Sequence, residues 1–138
     1  LRRLPDWTRM RQDNLYQIWE GLRDCPGLRV PAPPDHVSHA AYKGYAFIEP
    51  QLLSADWSRG RIIDEVNRRG VPLFEGSCSE IYREKAFDGT GWRPASRLPV
   101  ARMLGETSLM FLVHPGLKPS EIEKTIEEIR SVMCLACY

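Results

Sequence analysis

The sequence has 138 residues, of which 43% are hydrophobic and 27% are charged, a composition typical of soluble globular proteins that excludes disordered and collagen-like chains. Lys and Arg together number 19 against 18 Asp and Glu, so the formal net charge of +1 provides no field that would gather nucleic acid or anionic lipid. The length predicts one domain whose core needs neither a metal nor a disulfide.

The sequence contains no membrane or secretion signal that we can identify. No apolar run approaches the roughly 20 residues of a membrane span. The first residues, Leu1 to Asp6, lack the apolar core of a signal peptide. We therefore expect a cytoplasmic protein with no membrane partner.

Four cysteines allow a zinc site or two disulfides. Cys134 and Cys137 have C-x-x-C spacing, but Cys25 and Cys78 are isolated from each other. Because a four-thiolate site requires two such pairs, we expect reduced thiols and no metal site.

The N-terminal half predicts a long helix, an extended connector and a strand. Residues 24–27 (Asp-Cys-Pro-Gly) end the helix, residues 31–35 are proline-rich, and the aromatic segment 42–49 predicts a strand. No capping residue precedes Leu1, so we expect the chain to begin inside a longer element. The apolar residues that indicate the helix recur at mostly three- and four-residue steps: Leu1, Leu4, Trp7, Met10, Leu15, Ile18, Trp19 and Leu22.

The middle of the chain predicts a second helix that is capped by Asp56 or Ser58 and followed by Gly70, where a left-handed residue is expected. A short strand at 71–74, a helical turn at 80–87, a loop at 88–97 and a helix at 98–104 follow.

The C-terminal segment begins with a continuous apolar run at 108–113, which indicates a strand covered on both faces. The spacing of Ser120 and Glu123 fits a capping box that opens the last helix, and its apolar stripe is formed by Ile122, Ile126, Ile129 and Met133. The alternation of helices and strands predicts a two-layer α/β sandwich without an internal boundary.

Candidate functional residues are sparse. His36, His39 and His114 show no spacing that predicts a metal site or a catalytic dyad. The polar loop 75–82 follows a predicted strand end, a place where α/β proteins often bind ligands. An ordinary connecting loop is the alternative, and no phosphate-binding or nucleophile motif occurs.

Six segments in order resemble one enzyme family: Leu4-Pro5-Asp6-Trp7 with Arg11 and Asn14, residues 42–47, 70–72, 76–82, 98–101 and 111–117. Together they resemble the C-terminal part of the DegT/StrS-type sugar aminotransferases, of the aspartate aminotransferase superfamily with fold type I. The resemblance implies the small C-terminal domain, with a long N-terminal helix that joins it to a cofactor-binding domain absent from residues 1–138.

The resemblance implies a reaction and its partners. An amino group passes from an amino acid, usually glutamate, through pyridoxal phosphate to a nucleotide-linked keto-sugar of surface polysaccharide biosynthesis, in an enzyme that is usually a homodimer. Ser38 and Lys43 have the spacing of the family's lysine motif. The surrounding segment, however, matches a later part of the family, and no glycine-rich stretch follows. We therefore expect no catalytic lysine, no bound cofactor and no amino transfer by this chain alone.

The resemblance also assigns a role to the polar loop, because the matching segment approaches the sugar nucleotide in the family. We expect Ser77, Glu80 and Tyr82 to bind substrate hydroxyls. Many family members carry a histidine-containing segment there. A free-standing α/β domain that binds a ligand or regulates a partner is the alternative function.

Overall fold

A layer of three helices packs on one face of the sheet of this protein. The structure is a computed structural model that describes residues 2–137. The strand order is β1-β2-β4-β3, and every neighbouring pair is antiparallel. The elements are α1 (Leu4–Leu22), β1 (Leu28–Arg29), β2 (Gly44–Ile48), α2 (Arg59–Arg68), β3 (Leu73–Phe74), α3 (Pro99–Thr107), β4 (Ser108–Phe111) and α4 (Pro119–Ala136), with short 3₁₀ turns at Pro50–Leu52, Ile81–Arg83 and Lys85–Phe87.

The alternation of side chains along β2 separates the two faces of the sheet. Gly44, Ala46 and Ile48 are buried, whereas Tyr45 and Phe47 are half-buried on the other side. In the register with β4, Gly44 lies opposite Phe111 and Tyr45 opposite Met110. One face therefore packs against α1, α2 and α4, and we call the other the open face.

The hydrophobic core lies between the helical layer and the sheet. Its fully buried side chains include Leu15, Ile18, Leu22, Ile62, Val66, Leu73, Leu109, Phe111, Ile129, Val132 and Met133. Each large aliphatic or aromatic side chain buried in this way contributes about 1.5–3 kcal/mol. The two-layer α/β architecture is therefore confirmed.

Several expected elements are confirmed with small shifts. The expected long helix is α1, although Leu1 lies outside the described residues. The hydroxyl of Ser58 caps α2 and accepts a hydrogen bond from the Arg61 amide at 3.3 Å, and Gly70 follows the helix with a φ of +82°. All four residues of β4 are buried, as the apolar run predicts.

The predicted start of the last helix is wrong. α4 begins at Pro119, and the Glu121 carboxylate accepts a hydrogen bond from the Lys118 amide at 2.7 Å. The capping box of Ser120 and Glu123 does not form, because Pro119, with its fixed φ and no N–H, is well suited to the first helical position. α3 also continues to Thr107, beyond the expected end at 104.

The N-terminal turns of α1 expose large apolar side chains. Leu4, Trp7 and Met10 are between 43% and 49% exposed. Further along α1, buried Asn14 donates a hydrogen bond to the carbonyl of His114 at 3.0 Å and so ties the helix to the end of β4. No helix among residues 2–137 is both long and apolar enough to cross a bilayer.

Candidate functional site

A polar cavity of about 460 Å³ lies beside the loop that follows β3. We call it the loop cavity. Its walls come from residues 75–80, from Arg83 and Glu84, from Arg97, and from Gly105 and Glu106 of α3. The polar loop expected from the sequence thus forms most of this cavity.

Ser77 is exposed in the loop cavity and is held against the sheet. Its hydroxyl lies 3.0 Å from the Tyr45 hydroxyl, and its amide donates to the same Tyr45 oxygen at 3.3 Å. Gly76 has a φ of +107°, and a Cβ there would lie 2.7 Å from the Tyr45 ring, so only glycine fits. The loop backbone therefore places the Ser77 hydroxyl where a ligand can reach it.

The Glu80 carboxylate binds both Tyr82 and Arg97. The Tyr82 hydroxyl donates to Glu80 Oε1 at 2.6 Å and accepts the Leu98 amide at 3.0 Å. Arg97 Nε donates to Glu80 Oε1 at 2.9 Å, while Arg97 Nη2 donates to Oε2, which completes a bidentate pair. We call these three side chains the loop clasp, because they join residue 80 to residue 97.

The charges of the loop clasp shift its proton affinities. The hydrogen bond from Arg97, and to a smaller extent the one from Tyr82, lowers the pKa of Glu80 to about 2. Withdrawal from water and the hydrogen bond to Glu80 raise the pKa of Tyr82. At neutral pH, Glu80 is an anion whose oxygens already have donors.

The net charge of the loop cavity is negative. Four carboxylates (Glu75, Glu80, Glu84 and Glu106) and two guanidinium groups (Arg83 and Arg97) line it. Such a surface suits hydroxyl and amino groups better than phosphates. Of the three expected substrate residues, Ser77 has an exposed hydroxyl that a ligand can reach. Glu80 and Tyr82 are bonded to each other and hold the loop.

Sequence reasoning did not identify Arg97 or Tyr45 as parts of this site. Arg97 lies in a loop, 17 residues from Glu80, so no helical or strand spacing relates the two. Tyr45 lies in β2, a strand that the aromatic segment 42–49 does predict. The exposed Cys78 thiol also enters the site and donates to Glu84 Oε1 at 3.4 Å.

The histidines and cysteines are scattered in the structure. His36 and His114 are exposed, and His39 accepts a hydrogen bond from the Ala41 amide at 3.0 Å. Cys25, Cys78, Cys134 and Cys137 are free thiols. Within residues 2–137, no group of three or more histidine, cysteine or acidic side chains is arranged to hold a metal ion.

Solved structures share this architecture. An aminotransferase from Psychrobacter cryohalolentis is 47% identical, with a TM-score of 0.91 over 98% of this chain and 36% of its own. A DegT DnrJ EryC1 StrS aminotransferase from Brucella abortus has a TM-score of 0.76 at 22% identity, covering 94% of this chain and 32% of its own. The chain is thus similar to a domain of an aminotransferase and shares the fold of one of the DegT DnrJ EryC1 StrS type. It spans about a third of the length of these relatives.

A third structure names a cofactor. The sugar aminotransferase Spr1654 from Streptococcus pneumoniae, solved in its PLP form, has a TM-score of 0.79 at 19% identity, over 96% of this chain and 33% of its own. The fold expected from the sequence, that of a small aminotransferase domain, is confirmed. No protein-family model and no curated protein matches the sequence.

Two cavities, the loop cavity and one lined by Lys43, do not fit pyridoxal phosphate by themselves. The cofactor requires a lysine amine, an anion site for its phosphate and polar partners for its ring in one cavity. Lys43 lines a cavity of about 430 Å³ with Trp19, His39 and Tyr45, but no carboxylate that could pair with the ring nitrogen lines it. The loop cavity has carboxylates and no lysine.

Proposed function

We propose that this chain is the C-terminal domain of a pyridoxal-phosphate-dependent sugar aminotransferase. The enzyme would transfer an amino group from an amino acid, glutamate in our proposal, to a nucleotide-linked keto-sugar for surface polysaccharide. Its catalytic lysine and cofactor would belong to a preceding N-terminal domain, so this chain would not transaminate alone. The full enzyme would be a cytoplasmic homodimer.

One observation carries the proposal: 47% identity and a TM-score of 0.91 with the Psychrobacter cryohalolentis aminotransferase over nearly the whole chain. The two solved structures named as DegT/DnrJ/EryC1/StrS and sugar aminotransferases support the sugar class by their shared fold. The misfit of the cofactor to the loop cavity and to the cavity lined by Lys43 supports a division of labour in which this domain serves the substrate.

The chemistry of the loop cavity supports a role in holding the sugar. The Ser77 hydroxyl can donate to and accept from a sugar hydroxyl, while Tyr45 fixes its position at 3.0 Å. The carboxylates around it can accept from hydroxyls or from a newly formed amino group. In this proposal the loop clasp sets the shape of the cavity and Ser77 contacts the substrate.

A chimeric enzyme tests the proposal. The matching third of the Psychrobacter cryohalolentis aminotransferase is replaced by this chain, and 2-oxoglutarate formation from glutamate is measured with a keto-sugar nucleotide that the parent enzyme accepts. We expect turnover by the chimera. The control is the Psychrobacter cryohalolentis enzyme from which the matching third has been deleted. A chimera that folds and retains its cofactor absorbance, yet has no higher turnover than this control, would contradict the proposal.

Two matched variants of the chimera test the role of Ser77. Ser77→Ala is expected to lower kcat/KM for the sugar about tenfold, the effect of one lost hydrogen bond to substrate, while the glutamate half-reaction keeps its rate. Ser120→Ala, an exposed serine on α4, should leave both rates unchanged. Equal rates for the Ser77→Ala chimera and the unmodified chimera would remove Ser77 from the site.

A borohydride experiment tests the claim about the lysine. The isolated chain is mixed with pyridoxal phosphate, reduced and digested, and Lys43 is examined by mass spectrometry. We expect no stoichiometric pyridoxyl adduct on Lys43. A stoichiometric adduct would contradict the assignment of the catalytic lysine to another domain.

A further inference from the structure

Arg59 joins two walls of the loop cavity without lining the cavity itself. It is the first residue of α2, and its partners Glu75 and Gly105 both line the cavity. Its side chain is 19% exposed, the lowest value among the arginines of residues 2–137 that form ion pairs. Arg59 therefore acts on the cavity through these two partners.

The Arg59 guanidinium group fastens the start of the loop to the end of α3. Arg59 Nη2 lies 3.3 Å from Glu75 Oε1, and Arg59 Nη1 donates a hydrogen bond to the Gly105 carbonyl. Gly105 belongs to the last turn of α3, where carbonyl oxygens have no amide partner within the helix. The helix dipole also favours a cation at this end of α3. Both partners therefore gain from one side chain.

α2 itself gains no electrostatic stabilisation from Arg59. The first turn of a helix favours acidic side chains, but the first turn of α2 contains none and holds Arg59 and Arg61 instead. Arg61 is paired locally, with Asp56 Oδ2 at 2.6 Å and the centroid of the Trp57 ring at 4.2 Å. Because the partners of Arg59 lie outside α2, the contacts that Arg59 stabilises belong to the loop cavity.

Gly105 lets the loop pack directly against the backbone of α3. A Cβ on residue 105 would lie 3.4 Å from Ser79 Cβ and much nearer to Ser79 Oγ. Glycine is a poor helix former, and this close approach explains its presence within α3. The bond from Arg59 to the Gly105 carbonyl therefore holds α3 at the point where the loop rests on it.

Ser77 lies between two fixed ends of the loop. At the first end, the Glu75 carbonyl accepts a hydrogen bond from the Ser108 hydroxyl at 2.6 Å, while Arg59 holds the Glu75 carboxylate. At the other end, the loop clasp holds residue 80. The only side chain that bonds Ser77 directly is Tyr45, through two hydrogen bonds at 3.0 and 3.3 Å among the described residues. A shift of either end therefore moves the Ser77 hydroxyl.

We propose that Arg59 is a positioning residue of the loop cavity, which sets the place of the Ser77 hydroxyl by holding Glu75 against α3. It acts through Glu75 and Gly105 and contacts no substrate atom. Lysine can replace only part of this role, because an ammonium group lacks the planar fork that serves a carboxylate and a carbonyl together. The inference rests on the proposed function for the identity of the ligand, but not for the position of the loop.

Amide hydrogen exchange in the 138-residue chain tests this positioning without any substrate. The Ser77 amide donates to the Tyr45 hydroxyl oxygen, so its exchange rate reports whether the loop stays in place. We expect Arg59→Gln to raise this rate about tenfold and Arg59→Lys to raise it less, while the amides of β4 keep their rates. Arg61→Gln, which removes the same charge from the same turn, should change none of them.

Two results of this experiment would overturn the inference. One is an unchanged Ser77 rate in Arg59→Gln. The other is an equal rise in the rates of Ser77 and of the β4 amides, because Arg59 would then stabilise the whole fold rather than the loop.

Kinetics of the chimeric enzyme test the consequence for the substrate. Arg59→Gln should raise KM for the keto-sugar nucleotide about tenfold with kcat changed less than twofold, and the glutamate half-reaction should keep its rate. Arg59→Lys should restore part of the loss, and Gly105→Ala should raise KM as well, because its methyl group displaces Ser79. Arg61→Gln is again the control.

The two experiments separate this inference from the proposed function. An equal loss in both half-reactions of Arg59→Gln, or an unchanged KM in a chimera that turns over, would remove Arg59 as a positioning residue. If the chimera does not turn over but Ser77 exchange responds to Arg59→Gln as expected, the proposed function fails and the assignment of Arg59 to the loop stands.

Discussion

Gly44 begins β2, and its contact with the neighbouring strand offers a sharp test of the packing. It lies opposite Phe111 in the register of β2 and β4, and the Phe111 ring covers the space where a side chain would be. A Cβ on residue 44 would lie 2.5 Å from Phe111 Cδ2 and 2.8 Å from Cζ, and nearer still to Cε2. Because Phe111 is only 1% exposed, its ring has little room to move away.

Gly44→Ala is therefore expected to destabilise the domain. Overpacking of this kind destabilises the folded state by about 1–3 kcal/mol. Replacing glycine by alanine also lowers the conformational entropy of the unfolded chain, which offsets about 0.4–1 kcal/mol of that loss. The net expectation is a loss of about 1–2 kcal/mol in the free energy of unfolding, measured by urea titration. Gly60→Ala in α2 is the matched control, since its nearest neighbour is Ser58 Oγ at 3.9 Å and alanine favours the helix.

A double-mutant cycle decides whether the Phe111 ring is the cause. Phe111→Leu removes ring atoms and costs stability by itself, but it also makes room for a methyl group at residue 44. The loss in the double variant should be smaller than the sum of the single losses by about 1 kcal/mol. Strict additivity, or a Gly44→Ala variant as stable as the wild type, would refute the packing argument.

Three other predictions concern separate features. NMR titration should place the Glu80 pKa near 2, and Arg97→Ala should raise this pKa. Because the pKa is depressed in the folded state, the loop clasp stabilises the fold above about pH 4.5 and loses that effect as the pH falls towards 2. A normal pKa near 4.5 would argue against the clasp. Burial raises the pKa of Cys25 to about 11, so iodoacetamide at pH 8 should alkylate exposed Cys78 long before Cys25. Equal alkylation rates for the two cysteines in the folded chain would contradict the burial of Cys25. Ser58→Ala should cost about 1 kcal/mol in urea unfolding, unless the cap of α2 contributes nothing.

Long periodic segments made the fold predictable from the sequence. The apolar stripes of α1 and α4 and the continuous run of β4 each bury against several neighbours, so their patterns survive in the structure. β1 has only two residues and was not expected, because two residues have no readable period. The start of α4 was misplaced because two overlapping start signals, Pro119 and Ser120, compete within one turn.

The candidate site was only half predictable. Small and polar residues after a strand end pointed to the loop with Ser77 and Glu80, and the resemblance to a family strengthened that reading. The partners of the loop, Arg97 and Tyr45, come from distant parts of the chain. Local sequence patterns do not show which distant side chains meet in the fold.

The scarcity of lysine confines amine chemistry to a few positions of this chain. Only four lysines stand among 15 arginines, and Lys118 and Lys124 belong to the helical layer while Lys85 lies in a 3₁₀ turn. Lys43 is the one next to the sheet. An acylating reagent would therefore neutralise these few amines, Lys43 among them, without altering any guanidinium group.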